Sequence, residues 1–249
     1  MRISTLAGIR DQSGPAGLGR MGCFAVRSGQ RRWHQPLLVS NHHVLRAHGA
    51  GPGAAVYHMP SRELGRPMRI EAAGLDPVGW VTGDGHDGVH RYAYPGEAEL
   101  DYYVDCATAR VSDEEARPAG PLAFAGVARV RDIDVLPARI APARLLGVHA
   151  RASGRIVDVA ATVEREDGSL CPNSIVIRTL PGHAPFASQG DSGALVADRL
   201  GRAVGLLWGL DLADPAIAYA CHLLPALDRL GVVATPRASL HERRYQEEP

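Results

Sequence analysis

The chain contains no lysine: all 27 of its basic side chains are arginine, set against 27 acidic ones. That absence removes a P-loop lysine, a Schiff-base lysine and a Ser–Lys dyad from the available chemistry. The formal net charge of +0 leaves no basic excess of the kind nucleic-acid binding draws on. The only adjacent basic pairs are Arg31-Arg32 and Arg243-Arg244. With abundant Ala, Gly and Pro, the arginine bias suits a GC-rich bacterial genome. Four cysteines occur, Cys23, Cys106, Cys171 and Cys221, with no CxxC spacing, which argues against a cysteine zinc site or a redox pair. No run reaches the roughly 18 apolar residues of a membrane span. The first residues lack an apolar stretch of signal-peptide length, since Arg10 and Asp11 interrupt them. The expectation is a cytoplasmic protein with free thiols, with neither nucleic acid nor membrane as a partner.

At 249 residues the chain fits one large domain or two small barrels sharing an interface. A chain of this size buries roughly three quarters of its unfolded surface, so neither disulfide nor metal is needed to hold a core. Short apolar runs at 22–26, 36–40, 102–111, 154–163 and 174–180 read as strands. The runs 194–197 and 203–207 flank Asp198-Arg199-Leu200-Gly201-Arg202, a hairpin turn. Leu223, Leu224, Leu227 and Leu230 have the spacing of a short amphipathic helix. Residues 49–99 carry weak strand signals and read as strands joined by long loops. Arg117-Pro118-Ala119-Gly120-Pro121 is the best linker. It divides the chain into an N-terminal unit, 1–117, and a C-terminal unit, 121–235, followed by a polar tail, 236–249. No internal repeat is visible. The pattern points to an all-β protein.

Gln189-Gly190-Asp191-Ser192-Gly193-Ala194 places a serine among glycines just before a strand. A nucleophilic serine needs an exposed hydroxyl on a tight turn and nearby amides for the oxyanion, and glycine permits that backbone. Ala194 breaks the G-x-S-x-G elbow of α/β-hydrolases. Upstream, Leu37-Leu38-Val39-Ser40-Asn41-His42-His43-Val44 runs an apolar strand into two histidines, either of which could be a base. Tyr102-Tyr103-Val104-Asp105-Cys106-Ala107-Thr108-Ala109 sets an aspartate inside an apolar run. A carboxylate there needs donors, and holding an imidazole in one tautomer is a reason to keep it. If residues 42 and 43 continue the strand, one ring faces the cleft and the other turns away. Asp101 and Asp105, four apart, can share a face of their strand.

Taken together, in the order His, Asp, Ser, these segments resemble the trypsin/chymotrypsin superfamily, and within it the disulfide-free bacterial trypsin-like peptidases. Val39-Ser40-Asn41-His42-His43-Val44 resembles the strand-to-histidine motif. Val104-Asp105-Cys106-Ala107-Thr108-Ala109 resembles the D-x-A-x-A strand, Gly190-Asp191-Ser192-Gly193 the nucleophile loop, and Val204-Gly205-Leu206-Leu207-Trp208-Gly209 the pocket strand. The resemblance implies two six-stranded antiparallel β-barrels with a short C-terminal helix. It implies serine endopeptidase activity on a protein or peptide substrate, without cofactor or metal. His43, Asp105 and Ser192 would form the triad. The amides of Gly190 and Ser192 would form the oxyanion hole. Phe186, Leu207, Trp208 and Gly209 would line the substrate pocket and favour small or medium apolar residues.

The sequence departs from the family in three places. No cysteines closely flank His43. No Ile-Val-Gly-Gly activation sequence is present, which leaves Asp191 without the amino terminus it pairs with in zymogen-activated relatives. Leu207 stands where a serine often bonds the aspartate. Two other readings stay open: a catalytically silent trypsin-like binding module, and a metal-dependent hydrolase using His42, His43, His48, His86 or His90.

Overall fold

The computed structural model describes residues 5–8, 17–29, 36–59, 77–111, 124–130, 141–146 and 153–235. The linker expected at 117–121 and the tail from 236 lie outside the described residues. Two antiparallel sheets carry the fold. The first contains β1 (Thr5–Gly8), β2 (Gly17–Arg20), β3 (Cys23–Arg27), β4 (Leu37–Ser40), β5 (Ala55–Met59), β6 (Pro77–Tyr92) and β7 (Leu100–Val111). The second contains β8 (Ala141–Leu145), β9 (Ser153–Glu164), β10 (Leu170–Thr179), β11 (Leu195–Ala197), β12 (Ala203–Leu210) and β13 (Ile217–His222). It closes into a six-stranded barrel in the order β10-β13-β12-β11-β8-β9.

After β13 the chain forms helix α2 (Leu223–Leu230) and strand β14 (Val232–Ala234). The leucines at 223, 227 and 230 are buried on one helix face, as their spacing predicts. Gly231 ends the helix at φ +63, and its amide bonds back to the carbonyls of Asp228 and Leu227. Strand β14 then pairs with β3, so the chain returns from the closed barrel to the first sheet, whose order is β14-β3-β4-β7-β6-β5-β1-β2. This all-β, two-barrel architecture with a short C-terminal helix is the one the sequence led us to expect.

Segment 49–99 contains the longest strand among the described residues. Strand β6 spans 16 residues, and its irregular, half-exposed pattern explains its weak signal. It shifts register against β7 between Val81 and Gly85 and then runs on to pair Asp87 with Asp105. Strand β7 sits between β4 and β6 and is buried on both faces from Tyr102 to Ala109.

One buried cluster joins the barrels, combining Cys23, Val39, Tyr103 and Cys106 with Cys171, Leu195, Leu206 and Cys221. A second fills the C-terminal barrel around Ile175, Ile177, Phe186 and Val204. No helix among the described residues is long and apolar enough to cross a membrane.

The C-terminal barrel core has no spare room at Gly154, where a Cβ would meet Phe186 Cδ2 at 2.6 Å and Ile177 Cγ2 at 2.9 Å. Gly154→Val should therefore destabilise by about 1–3 kcal/mol through overpacking and lower Tm by several degrees. Gly51→Ala, where a Cβ meets nothing within 4 Å, should leave Tm unchanged. Thermal melts followed by circular dichroism check both, and equal Tm values for the two variants would contradict this packing.

Candidate active site

Antiparallel register pairs Leu37 with Arg110 and Ser40 with Ala107. Continued in the same register, His42 would lie across from Asp105. Instead the chain leaves the sheet at Asn41 and coils into a single helical turn, α1 (His42–Leu45). The expectation that the two histidines alternate as strand residues is thus corrected. The cause is the start of the turn. Its first amides need acceptors, and the side chain of Asn41 makes no cap bond. Asp105 supplies the acceptor from the neighbouring strand. Its Oδ1 accepts the N–H of His42 at 2.7 Å and of His43 at 3.2 Å. Asn41 Nδ2 donates to the Asp105 carbonyl at 2.7 Å.

The second carboxylate oxygen, Oδ2, is paired with Nδ1 of the His43 ring. A carboxylate accepts only, so Nδ1 carries the proton and Nε2 keeps its lone pair. Asp105 is 1% exposed, whereas the His43 side chain is 38% exposed. The ring thus reaches from a buried anchor toward solvent. Asp101, the other candidate, sits at the exposed end of β7 and pairs with Arg91 at 3.1 Å. His42 points elsewhere and packs over Gly85, where an added Cβ would lie 3.1 Å from its Cδ2.

The candidate nucleophile lies on a turn held by its own aspartate. Asp191 Oδ2 accepts the N–H and the hydroxyl of Ser188, both at 2.9 Å. Its Oδ1 accepts Nε of Arg20 at 3.0 Å and Nη2 at 2.9 Å. Four donors fill the acceptor capacity of a carboxylate that is 2% exposed. Within the turn the amides of Asp191, Gly193 and Ala194 are bound to the carbonyls of Ser188, Leu207 and Asp191. Gly190 and Gly193 both adopt φ +90, where a side chain would be strained.

The two halves meet at glycines. A Cβ at Gly193 would overlap Ser40 Oγ and the Arg20 carbonyl, and one at Gly19 would overlap the Val44 methyls and the Ser192 carbonyl. The Arg20 amide donates to that same Ser192 carbonyl at 2.6 Å, and Ser40 Oγ donates to the Arg20 carbonyl at 2.7 Å. The serine turn is therefore docked against residues directly flanking the histidine turn.

Beside this junction lies a polar cluster. Asp87 accepts the Tyr103 hydroxyl at 2.6 Å and Arg165 Nη1 at 2.9 Å. Burial pulls the His43 ring below its ordinary value of 6.5. The bond to Asp105, the charge of Asp105 and the charge of Asp87 outweigh that pull and raise it, with Arg165 opposing. His42 moves the other way, lowered by burial against the pull of the same two carboxylates. The cysteines are buried and free, and burial pushes the Cys23 and Cys221 thiols up to about 12, far from a reactive thiolate.

The residues expected to line a pocket are distributed as follows. Phe186 is 1% exposed, with its ring packed toward Gly154 and its amide on Thr179 Oγ1 at 2.9 Å, so it belongs to the barrel core. Leu207 is buried in the same core. Trp208 is sandwiched, edge-on to Tyr103 and stacked on Tyr219. Gly209 follows it on β12 next to Tyr219. Of the other histidines, His86 Nε2 contacts the Val89 carbonyl and His90 Nε2 contacts Asp228. Sequence reasoning missed Arg20, Asp87 and Arg165. The Asp87 segment drew notice only as a histidine cluster.

No protein-family model matches the chain, and no curated protein does. Solved structures do. Protease A of Thermobifida fusca superposes with a TM-score of 0.53 at 15% identity, covering 95% of this chain and 98% of that one. The Nocardiopsis protease NAPase gives 0.52 at 17% identity, covering 94% and 98%. An alpha-lytic protease homolog, N4, gives 0.50 at 18% identity, covering 93% and 97%. These likenesses establish the fold: the chain has the chymotrypsin-like two-barrel architecture seen in bacterial serine proteases.

Proposed function

We propose that the protein is a serine endopeptidase that forms an acyl-enzyme on Ser192, with His43 as general base and Asp105 as the orienting carboxylate. The observation that carries this reading is the His43–Asp105 pair. It fixes the imidazole in the tautomer whose free nitrogen is Nε2, beside a docked serine turn. In the reaction Nε2 takes the Ser192 hydroxyl proton as Oγ attacks the substrate carbonyl carbon. The developing oxyanion is received by the Gly190 and Ser192 amides. The imidazolium, stabilised by Asp105, returns the proton to the leaving amine as the peptide bond breaks. Water then repeats the sequence and releases the acid. Leu207 supplies no hydroxyl to Asp105, and the two amides of the α1 turn take over that support.

The pocket reading is part of the same proposal. Neither Phe186 nor Leu207, Trp208 and Gly209 brings a carboxylate, so an arginine or lysine side chain would be buried unpaired, at a cost of roughly several kcal/mol. Small or medium apolar residues before the scissile bond are the expected substrates. A clear preference for Arg or Glu over Leu in matched peptides would refute the pocket and leave the triad untouched.

Three measurements test the catalytic assignment. Ser192→Ala should lower turnover on the order of a million-fold and abolish labelling by a fluorophosphonate. An unlabelled wild-type protein would favour the silent binding module. Asp105→Asn should lower turnover by roughly ten-thousand-fold through the wrong tautomer. Asp101→Asn and His42→Gln should be mild in steady-state assays, and the reverse ranking would overturn the assignment.

The pH profile follows from the direction of the His43 shift. The base must be neutral, so kcat/KM should rise with pH through a midpoint above 6.5, the ordinary histidine value. Asp87→Asn should move that midpoint down and Arg165→Gln should move it up. Shifts of the same sign in the two variants would exclude His43 as the titrating group.

A further inference from the structure

Resting on the protease reading, we propose that Arg20 is the positioning residue of the nucleophile turn: an internal cation, delivered by a strand of the opposite barrel, that holds Asp191 and so fixes the amides of Gly190 and Ser192. A buried carboxylate inside this turn must be neutralised, or the turn will rearrange to expose it. Three features on and around β2 converge to prevent that. The guanidinium places two N–H groups on one oxygen of Asp191, and both side chains are nearly sealed, at 10% and 3% exposed. The Arg20 amide holds the Ser192 carbonyl. The Arg20 carbonyl, itself bound by Ser40, occupies the space that a side chain at Gly193 would need.

The strand therefore grips the turn at three consecutive residues, 191, 192 and 193. With Oδ1 held by Arg20, Oδ2 is left to take Ser188, which closes the turn around Gly190. A guanidinium stays charged across the working pH range. The counter-charge is part of a strand, so the active conformation forms when the two barrels pack and calls for no separate cleavage event. The same contact makes Arg20 a reporter of barrel docking, because it bridges 171 positions of sequence.

The experiment compares wild type, Arg20→Met, Arg20→Lys, Asp191→Asn and the double variant Arg20→Met/Asp191→Asn. The readouts are the fluorophosphonate labelling rate, kcat and KM on a peptide, Tm, and hydrogen exchange of the amides at 186–195. Arg20→Met should label about 100- to 1,000-fold more slowly, the loss seen when an oxyanion donor is displaced. The fall should lie in kcat with KM little changed, and exchange at 186–195 should be faster. Methylguanidinium should restore part of the labelling rate where equimolar sodium does not. Arg20→Lys should fall between wild type and Arg20→Met. The double variant leaves no orphan charge and should be no slower than either single, as expected for two residues acting as one unit. It also serves if Arg20→Met alone fails to fold. Wild-type labelling by folded Arg20→Met, or by the folded double variant, would overturn the proposal. If wild type itself fails to label, the protease reading falls. The exchange data then decide: unchanged protection at 186–195 in Arg20→Met rejects the positioning role, and lost protection upholds it.

Discussion

A carboxylate sealed inside a protein must be surrounded by donors, and Asp105 meets that demand by determining how the chain bends around it. Strand β7 carries it into the middle of the first sheet, where water is excluded. Partner strand β4 has no side-chain donor to offer directly opposite, and it stops pairing at Ser40. What comes next is a helical turn whose first two amides point at Oδ1. A turn of four residues has little stability of its own. It persists here because a charge across the sheet caps it. The ring of His43 is then carried by the turn to the remaining oxygen. The imidazole is oriented as a consequence of satisfying backbone groups, which ties its placement to the sheet that holds Asp105.

Asp191 solves the same problem on the other barrel by a different route. Asp105 draws its donors from the helical turn that follows the strand beside it, whereas Asp191 draws half of its donors from across the interface. The first arrangement builds a stiff histidine within one barrel. The second ties the barrels together, and glycines at 19 and 193 allow the backbones to approach closely enough for it to form. Removing one member of such a pair typically costs about 3–5 kcal/mol because the partner charge is left buried. The serine turn and the interface are therefore energetically coupled.

Much of this was legible in the sequence, and the exceptions share a cause. The hairpin 194–207, helix α2 and the buried run of β7 were readable because each is specified by neighbours in sequence: turn residues, helical spacing, or apolar content. The Gly190-Asp191-Ser192-Gly193 turn was readable for the same reason. The helical turn at His42 was not, since its cap comes from a residue 63 positions away. Strand β6 was hidden because both of its faces are partly wet and a register shift interrupts it at Val81–Gly85. The return of β14 to the first sheet depends only on where α2 aims the chain. Arg20 sits in Gly-Leu-Gly-Arg, which has no local meaning until the second barrel arrives. Elements fixed by local chemistry can be read from the chain, and partners fixed by tertiary contact cannot.

The two adjacent histidines show how geometry rather than nearby charge sets them apart. His42 and His43 both feel Asp105 and Asp87, and burial works against the charged form of each. They nevertheless shift in opposite directions. The largest favourable effect on His43 is a direct ring hydrogen bond to Asp105, and His42 has no such bond among the causes of its shift. At His42 the negative field does not overcome desolvation, whereas at His43 the ring hydrogen bond to Asp105 adds to that field and tips the balance. The same bond fixes the tautomer, so basicity and the availability of Nε2 come from one contact. Electrostatic proximity would have left the two candidates nearly equal. The helical turn separates them by about 100° of rotation, in keeping with 3.6 residues per turn, and sends only one ring to the carboxylate.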